Sequence, residues 1–284
     1  MSEEKPRHSP IQRIMVALDA STSSMNAMQT ALELAARFKS EVLGLFVEDI
    51  NLLRLAQLPF AREVSFYSDR TRRINTHDME LQLRVQAARI RNRLAQTAER
   101  LGVPWEFKTV RGAVGTEVLN AGATADLVVL GKIGRSLPGI HRSGSTVRAL
   151  LMQRIGMTLV MQTRVAFSKS PVAAVYDGTQ TAVKTLDTAV YLAKSHETPL
   201  LVFIIGNSSE EVERYRHQAA EQLQAPDIKV RLRPLVRPSL TVLAAHIRYE
   251  TAGPVIIPCL EDWFAGERLC GLVDEIANPV FLIR

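Results

Sequence analysis

The sequence predicts an α/β fold made of two tandem copies of one plan, each a parallel sheet with helices on both faces. Three observations lead there. Short apolar and β-branched runs alternate with helix-spaced stretches, which implies crossover connections and parallel strands covered on both sides. The order of these runs recurs once along the chain. The length, 284 residues, suits two domains of ordinary size.

In the first copy RIMVAL (13–18) is a strand. SSMNAMQTALELAARF (23–38) follows with helical spacing, its Met25, Met28, Leu32 and Ala35 on one stripe, and Ser23 or Ser24 is the expected cap. EVLGLFVED (41–49) is the second strand, and a long helix is predicted over 80–101. PWEFKTV, TEVLNAGA, DLVVLG, STVRALLMQRI and MTLVMQ then read strand, helix, strand, helix, strand. In the second copy PVAAVYDG answers RIMVALDA, TPLLVFIIGN answers EVLGLFVED, GPVIIP answers ADLVVLG, and NPVFLIR ends the chain. Asp19 to Gly131 is 112 residues and Asp177 to Pro258 is 81, so the first copy has a longer middle, near residues 50–85. The boundary is placed near FSKS (167–170), giving units 1–165 and 166–284.

Composition narrows the class. Hydrophobic residues make up 46% and charged residues 23%, as in soluble globular proteins. No apolar run reaches the roughly 18 to 20 residues of a membrane span. MSEEKPRHSP at the start is polar with no apolar signal core, so the expected location is the cytoplasm, away from membranes. Two cysteines make no disulfide framework and read as small buried residues, and the six histidines show no metal spacing. Residues 1–165 hold 23 Lys+Arg against 15 Asp+Glu, whereas 166–284 hold 12 against 14. The first unit alone is basic, which suits a polyanionic ligand or a plain solvated surface. Nine arginines between 62 and 100 read as a solvated helix face before nucleic acid, since no aromatic-interleaved RNA motif accompanies them. The stretch NLLRLAQLPFAREVSFYSDR before them reads as a lid or a partner-binding segment.

GKIGRSLPGIHRSGSTVRAL (131–150) carries the chemistry. Glycines let backbone N–H groups approach a phosphate, and a helix N-terminus adds free N–H groups and a favourable dipole. Gly144-Ser145-Thr146 opens a predicted helix, Gly131 and Gly134 shape the turn that leaves the strand, and Lys132, Arg135 and Arg142 make the loop basic. The dinucleotide fingerprint G-x-G-x-x-G is absent, and GIHRSGST has Ser145 where a P-loop has its lysine. The competing reading is a long surface loop with turn glycines.

Gly131-x2-Gly134-x9-Gly144-Ser145 resembles the G-2x-G-9x-G-[ST] nucleotide pattern of universal stress proteins, and VALDAS, LFVED and ADLVVLG flank it in that family's order. The resemblance spans both copies, a tandem universal stress protein. It implies two five-stranded doubly wound parallel sheets of strand order 3-2-1-4-5, and ATP or another adenine nucleotide as ligand, with Mg²⁺ held through the phosphates. Carried over by position, Ala17, Leu18 and Asp19 line the adenosine pocket and Val47 offers its main chain to adenine. Gly131 lies beside ribose and phosphates, while Gly134, Gly144, Ser145 and Thr146 hold the phosphates. Members often carry a hydroxyl one position later, where this chain has Val147. The family also pairs through its last strands, so MTLVMQ and PVFLIR are expected to form a pseudo-dimer within one chain, with further pairing of chains and an unnamed protein partner.

The second copy lacks this loop. Pro258 stands for Gly131, and at the same 13-residue spacing Gly271 and Leu272 stand for Gly144 and Ser145, with Glu261 for Gly134. Carboxylates there repel a polyphosphate. The expectation is therefore a stress-response regulator that binds nucleotide in the first unit only, without a catalytic set. The alternatives are a slow ATP hydrolase and an interaction scaffold that no longer binds nucleotide.

Overall fold

The computed structural model describes residues 11–58, 62–64, 71–73, 75–132, 143–153, 156–161, 170–223, 227–250, 253–259, 263–264 and 266–284. The first half runs β1 (Arg13–Leu18), α1 (Thr22–Phe38), β2 (Glu41–Asp49), α2 (Ile50–Ala56), β3 (Arg62–Val64), β4 (Thr71–Arg73), α3 (Thr76–Leu101), β5 (Trp105–Gly112), α4 (Val114–Gly122), β6 (Leu127–Gly131), α5 (Ser145–Met152) and β7 (Met157–Met161). The second runs β8 (Val172–Tyr176), α6 (Gln180–His196), β9 (Leu200–Gly206), α7 (Ser209–Gln222), β10 (Val230–Val236), α8 (Leu240–Tyr249), β11 (Val255–Pro258), α9 (Gly266–Glu275) and β12 (Val280–Ile283). The boundary expected at 165/166 lies outside the described residues.

Each half has the strand order 3-2-1-4-5, counted within itself, and its strands are parallel. The two sheets are joined into one ten-stranded sheet, β10-β9-β8-β11-β12-β7-β6-β1-β2-β5. The junction is the antiparallel pair β7–β12, in which Val160 faces Val280, Leu159 faces Phe281 and Thr158 faces Leu282. Leu159 pairs with Val129 as Phe281 pairs with Ile256, so these two residues are counterparts facing each other. An internal twofold axis passes between them, the geometry of a symmetric dimer interface built inside one chain.

Continuous burial along β8, β9 and β11, and along β1 at all but Arg13 and Ala17, follows from helices on both faces. Val16, Leu18 and Phe46 pack with α1 and α3 residues such as Leu32 and Leu94; Met15, Leu43 and Leu45 pack on the other face with Val118, Val147 and Leu150. The edge strands β5 and β10 are half-exposed and carry Lys108, Arg111, Arg231 and Arg233, charges that discourage further strand pairing.

Two local differences from expectation have clear causes. The cap of α1 is Ser21, whose Oγ accepts the Ser24 N–H at 3.1 Å; Ser23 and Ser24 are buried inside the helix. The chain turns at Ala20 (φ 63°), which puts Ser21 over the helix end. The longer middle of the first half holds α2, the β3–β4 hairpin and the first turn of α3, which Asn75 caps. Along α3 the residues Leu83, Ala87, Ile90, Leu94 and Ala98 are buried, and Arg84, Arg89, Arg91, Arg93 and Arg100 are exposed, so these five arginines form a solvated helix face. No described helix is long and apolar enough to cross a membrane.

Candidate functional site

Doubly wound sheets open a crevice at the carboxyl ends of their strands, where the strand order reverses. In the first half this point lies between β1 and β6. Asp19 leaves β1, and its Oδ1 accepts the Ser21 N–H at 3.0 Å while its own N–H donates to Ser24 Oγ at 3.3 Å. The half-buried carboxylate is thereby fastened to the first turn of α1. Gly131 ends β6 directly beneath that turn. A Cβ here would lie 2.5 Å from Ser23 Oγ and 2.8 Å from Ser24 N, so only glycine lets the helix start rest on the strand end. This packing demand stands beside the phosphate reading of Gly131 as a second reason for the glycine.

Gly144 returns to the same place. Its N–H donates to the Lys132 carbonyl at 2.9 Å, closing the stems on either side of residues 133–142. Gly144 is the N-cap of α5, and no side chain caps that helix. The first N–H groups and the helix dipole therefore suit an anion. Ser145 is exposed and Thr146 half-buried, whereas Val147 is buried with Leu150 and Leu151 in the core. Val47 is half-buried one residue past Phe46, which pairs with Leu18. Leu18 packs into the α1 layer and Ala17 toward the opposite one. The structure thus gathers Ala17, Leu18, Asp19, Val47, Gly131, Gly144, Ser145 and Thr146 at the carboxyl edge of three neighbouring strands and the start of α5. Gly134, Arg135, His141 and Arg142 lie outside the described residues.

Lys132 corrects an expectation. It is not part of a basic loop surface: it is 1% exposed, and its Nζ donates to the carbonyls of Asp274 at 3.0 Å and Ile276 at 3.4 Å, in the second half. Burial pushes its ammonium pKa down, against the pull of nearby Asp274. Sequence reasoning also missed Ser21 and Asp274. The Ser21 signal was available, a serine three residues before a helical N–H. Asp274 offered none, because it acts from another half of the chain.

Strand register also corrects the alignment of the two halves. Gly131 pairs with Met161 and Pro258 with Ile283, so Pro258 does stand for Gly131. Gly144 lies 17 residues before Met161, and the glycine 17 residues before Ile283 is Gly266, not Gly271. The buried pattern Val147, Leu150, Leu151 then matches Leu269, Leu272, Val273. Glu267 is therefore the counterpart of Ser145, and Gly271 sits in the middle of α9. The connection from Pro258 to Gly266 is 8 residues where Gly131 to Gly144 is 13. Glu261, matched to Gly134 by spacing, lies outside the described residues.

A cleft of about 740 Å³ occupies the equivalent switch point of the second half. Asp177 and Ile205, counterparts of Asp19 and Val47, line it with Tyr215, Trp263 and Glu211. Asp177 Oδ1 accepts from Thr179 N–H and Oγ1 at 3.2 and 2.7 Å, the same turn that Asp19 makes. Cys259 also lines this cleft and is half-buried, while Cys270 is fully buried; burial raises the pKa of both thiols. Among the described residues no cluster of His, Cys, Asp or Glu could hold a metal ion.

The model of the universal stress protein family matches residues 10–153. A universal stress protein from Archaeoglobus fulgidus DSM 4304 superposes with a TM-score of 0.73 over 97% of this chain and 98% of its own, at 14% identity. A functionally unknown protein from Pseudomonas aeruginosa PAO1 does so at 0.65 over 98% and 94%, also at 14% identity. These likenesses show that the fold is shared across both halves. Among curated proteins none matches the sequence.

Proposed function

The chain belongs to the universal stress protein family, and we propose that it is a stress-response regulator whose first half binds an adenine nucleotide, ATP foremost, at one site per chain. Residues 1–165 act as the binding unit and 166–284 as its packing partner. The observation that carries the reading is the start of α5: Gly144 caps it without a side chain, at the carboxyl end of β6, next to the turn that holds Asp19. In this reading Ala17, Leu18 and Asp19 line the nucleoside and the Val47 main chain meets the base. Gly131 adjoins the ribose, and Gly134, Gly144, Ser145 and Thr146 take the phosphates, with Mg²⁺ held through them.

The second half supports one site rather than two. Glu267 stands in the first turn of α9 where Ser145 opens α5, its carboxylate bonded to Arg148, so the second half offers an acidic residue and no hydroxyl at that helix start. Copying that residue is the test. Calorimetric titration with ATP and Mg²⁺ should give one site per chain in the wild type and none in Ser145→Glu. The variant should keep its thermal midpoint, because an acidic residue in the first turn suits the helix dipole. Two sites per chain, or no heat from folded wild type free of nucleotide, would overturn the reading.

A further inference from the structure

The two stems that frame residues 133–142 are held by the other half of the chain. On the strand side, the Lys132 ammonium reaches the carbonyls of Asp274 and Ile276 at the end of α9. On the helix side, Asp274 Oδ1 accepts both the Ser143 N–H at 2.6 Å and the Ser143 hydroxyl at 2.5 Å. Ser143 is 5% exposed. Gly144 N–H to Lys132 carbonyl ties one stem to the other. Arg148 of α5 bonds Glu267 at the start of α9 and lies 3.7 Å from Asp274 at its end, laying the helix along its partner.

The arrangement follows from the internal twofold. Asp274 is the counterpart of Met152, and Met152 sits 3.5 Å from the Cβ position of Gly266, the counterpart of Gly144. Each helix thus sends a residue from its last turns to the other's N-terminus. In one direction that residue is an apolar methionine; in the other it is a carboxylate that takes the Ser143 N–H and hydroxyl.

We infer that Asp274 is a positioning residue for the nucleotide site, and that the first half's site is incomplete without the second half. The inference rests on the reading that nucleotide binds at Gly144–Thr146. Asp274 fixes the register of the chain at Ser143, one residue before the cap, so the first N–H groups of α5 are aimed before any ligand arrives. Preorganisation of this kind raises affinity by sparing the ligand the cost of aligning the start of α5. Orienting the Ser143 donors toward Asp274 also leaves the donors that follow as the ones facing a ligand.

Hydrogen exchange on the full chain without nucleotide, together with calorimetric ATP titration, tests this. In Asp274→Ala the Ser143 and Gly144 amides should lose protection while the amides of β6 and β7 keep theirs, and ATP affinity should fall about tenfold. Asp274→Asn keeps an acceptor oxygen and removes a charge near the phosphates, so it should retain the protection and bind ATP at least as well as wild type. Ser143→Ala should weaken binding, and the Ser143→Ala, Asp274→Ala double variant should be no weaker than Asp274→Ala. Unchanged exchange in folded Asp274→Ala overturns the inference, and so does lost protection with unchanged affinity. If wild type takes no ATP, the proposed function fails; the positioning role fails with it, while the exchange arm still reports whether α9 holds the stems.

Discussion

The two halves share a backbone plan and differ in what they place at the same points. At the strand-to-helix turn, Asp19-Ala20 and Asp177-Gly178 make the same positive-φ bend, at 63° and 79°. At the sheet junction Leu159 meets its own counterpart Phe281. At the last helix of each half, Ser145 is answered by Glu267. What the two halves share is the framework that closes one sheet across two units. Where they differ is the residues at the carboxyl edge. A half that differs at its own helix start still holds the other's, because α9 bonds the stems on either side of residues 133–142.

The largest effect should come from the shared axis. Phe281 and Leu159 are both fully buried. Phe281→Ala should cost about 3–5 kcal/mol and Leu159→Ala about 2–5 kcal/mol. Because the sheet is continuous, each should lower the stability of both halves together, seen as one urea transition moving by two probes. A variant that unfolds in two separate steps would break the picture of one cooperative sheet.

A middle-sized effect separates the two turns. A Cβ at Gly178 would lie 2.2 Å from the Tyr215 ring, at a φ of 79°. Gly178→Ala should destabilise by about 1–3 kcal/mol. Ala20 already bears a Cβ at φ 63°. Ala20→Gly should relieve backbone strain and stabilise by up to about 1 kcal/mol. Thermal midpoints should therefore move in opposite directions for opposite exchanges at equivalent positions. Movement in one direction for both would show that the turns are not equivalent in energy.

Most of the framework was legible because buried strands write continuous apolar runs. RIMVAL and EVLGLFVED match β1 and β2 to the residue. The site was legible as residue types and less so as contacts. Spacing alone matched Gly144 to Gly271, since a connection five residues shorter happens to end near another glycine; only strand register exposes Gly266. Lys132 looked like part of a basic loop because its partners are main-chain carbonyls 142 and 144 residues away, and no local pattern announces those. The β3–β4 hairpin was missed for a different reason: at three residues a strand, it is too short to show a period.

The smallest effect concerns the opposite face of the junction, where α1 meets α6. Both helices end in a left-handed residue, Lys39 (φ 57°) and Glu197 (φ 53°), so Phe38 and His196 are counterparts. Phe38 packs on Tyr191 with ring centroids 5.1 Å apart. His196, 7% exposed, has Nδ1 2.9 Å from the Leu192 carbonyl. Beside it are Glu33 and Arg37 of α1, and Arg37 donates to the Ser195 carbonyl at 2.5 Å. Burial lowers the His196 pKa below its ordinary 6.5; the Leu192 carbonyl opposes this, Arg37 adds to it and Glu33 opposes it. A folded pKa below the unfolded one means that the unfolded chain takes up the proton first as pH falls. His196 therefore contributes its full share above about 6.5, and that share is lost as pH drops from there toward the lowered folded value. His196→Phe, which copies Phe38, should flatten the fall in urea midpoint between pH 7.5 and 5. An equal fall in variant and wild type would place the acid sensitivity elsewhere. It would also leave the two ends of this junction alike in their response to pH, although one presents a ring to a ring and the other an imidazole to a carboxylate and a guanidinium.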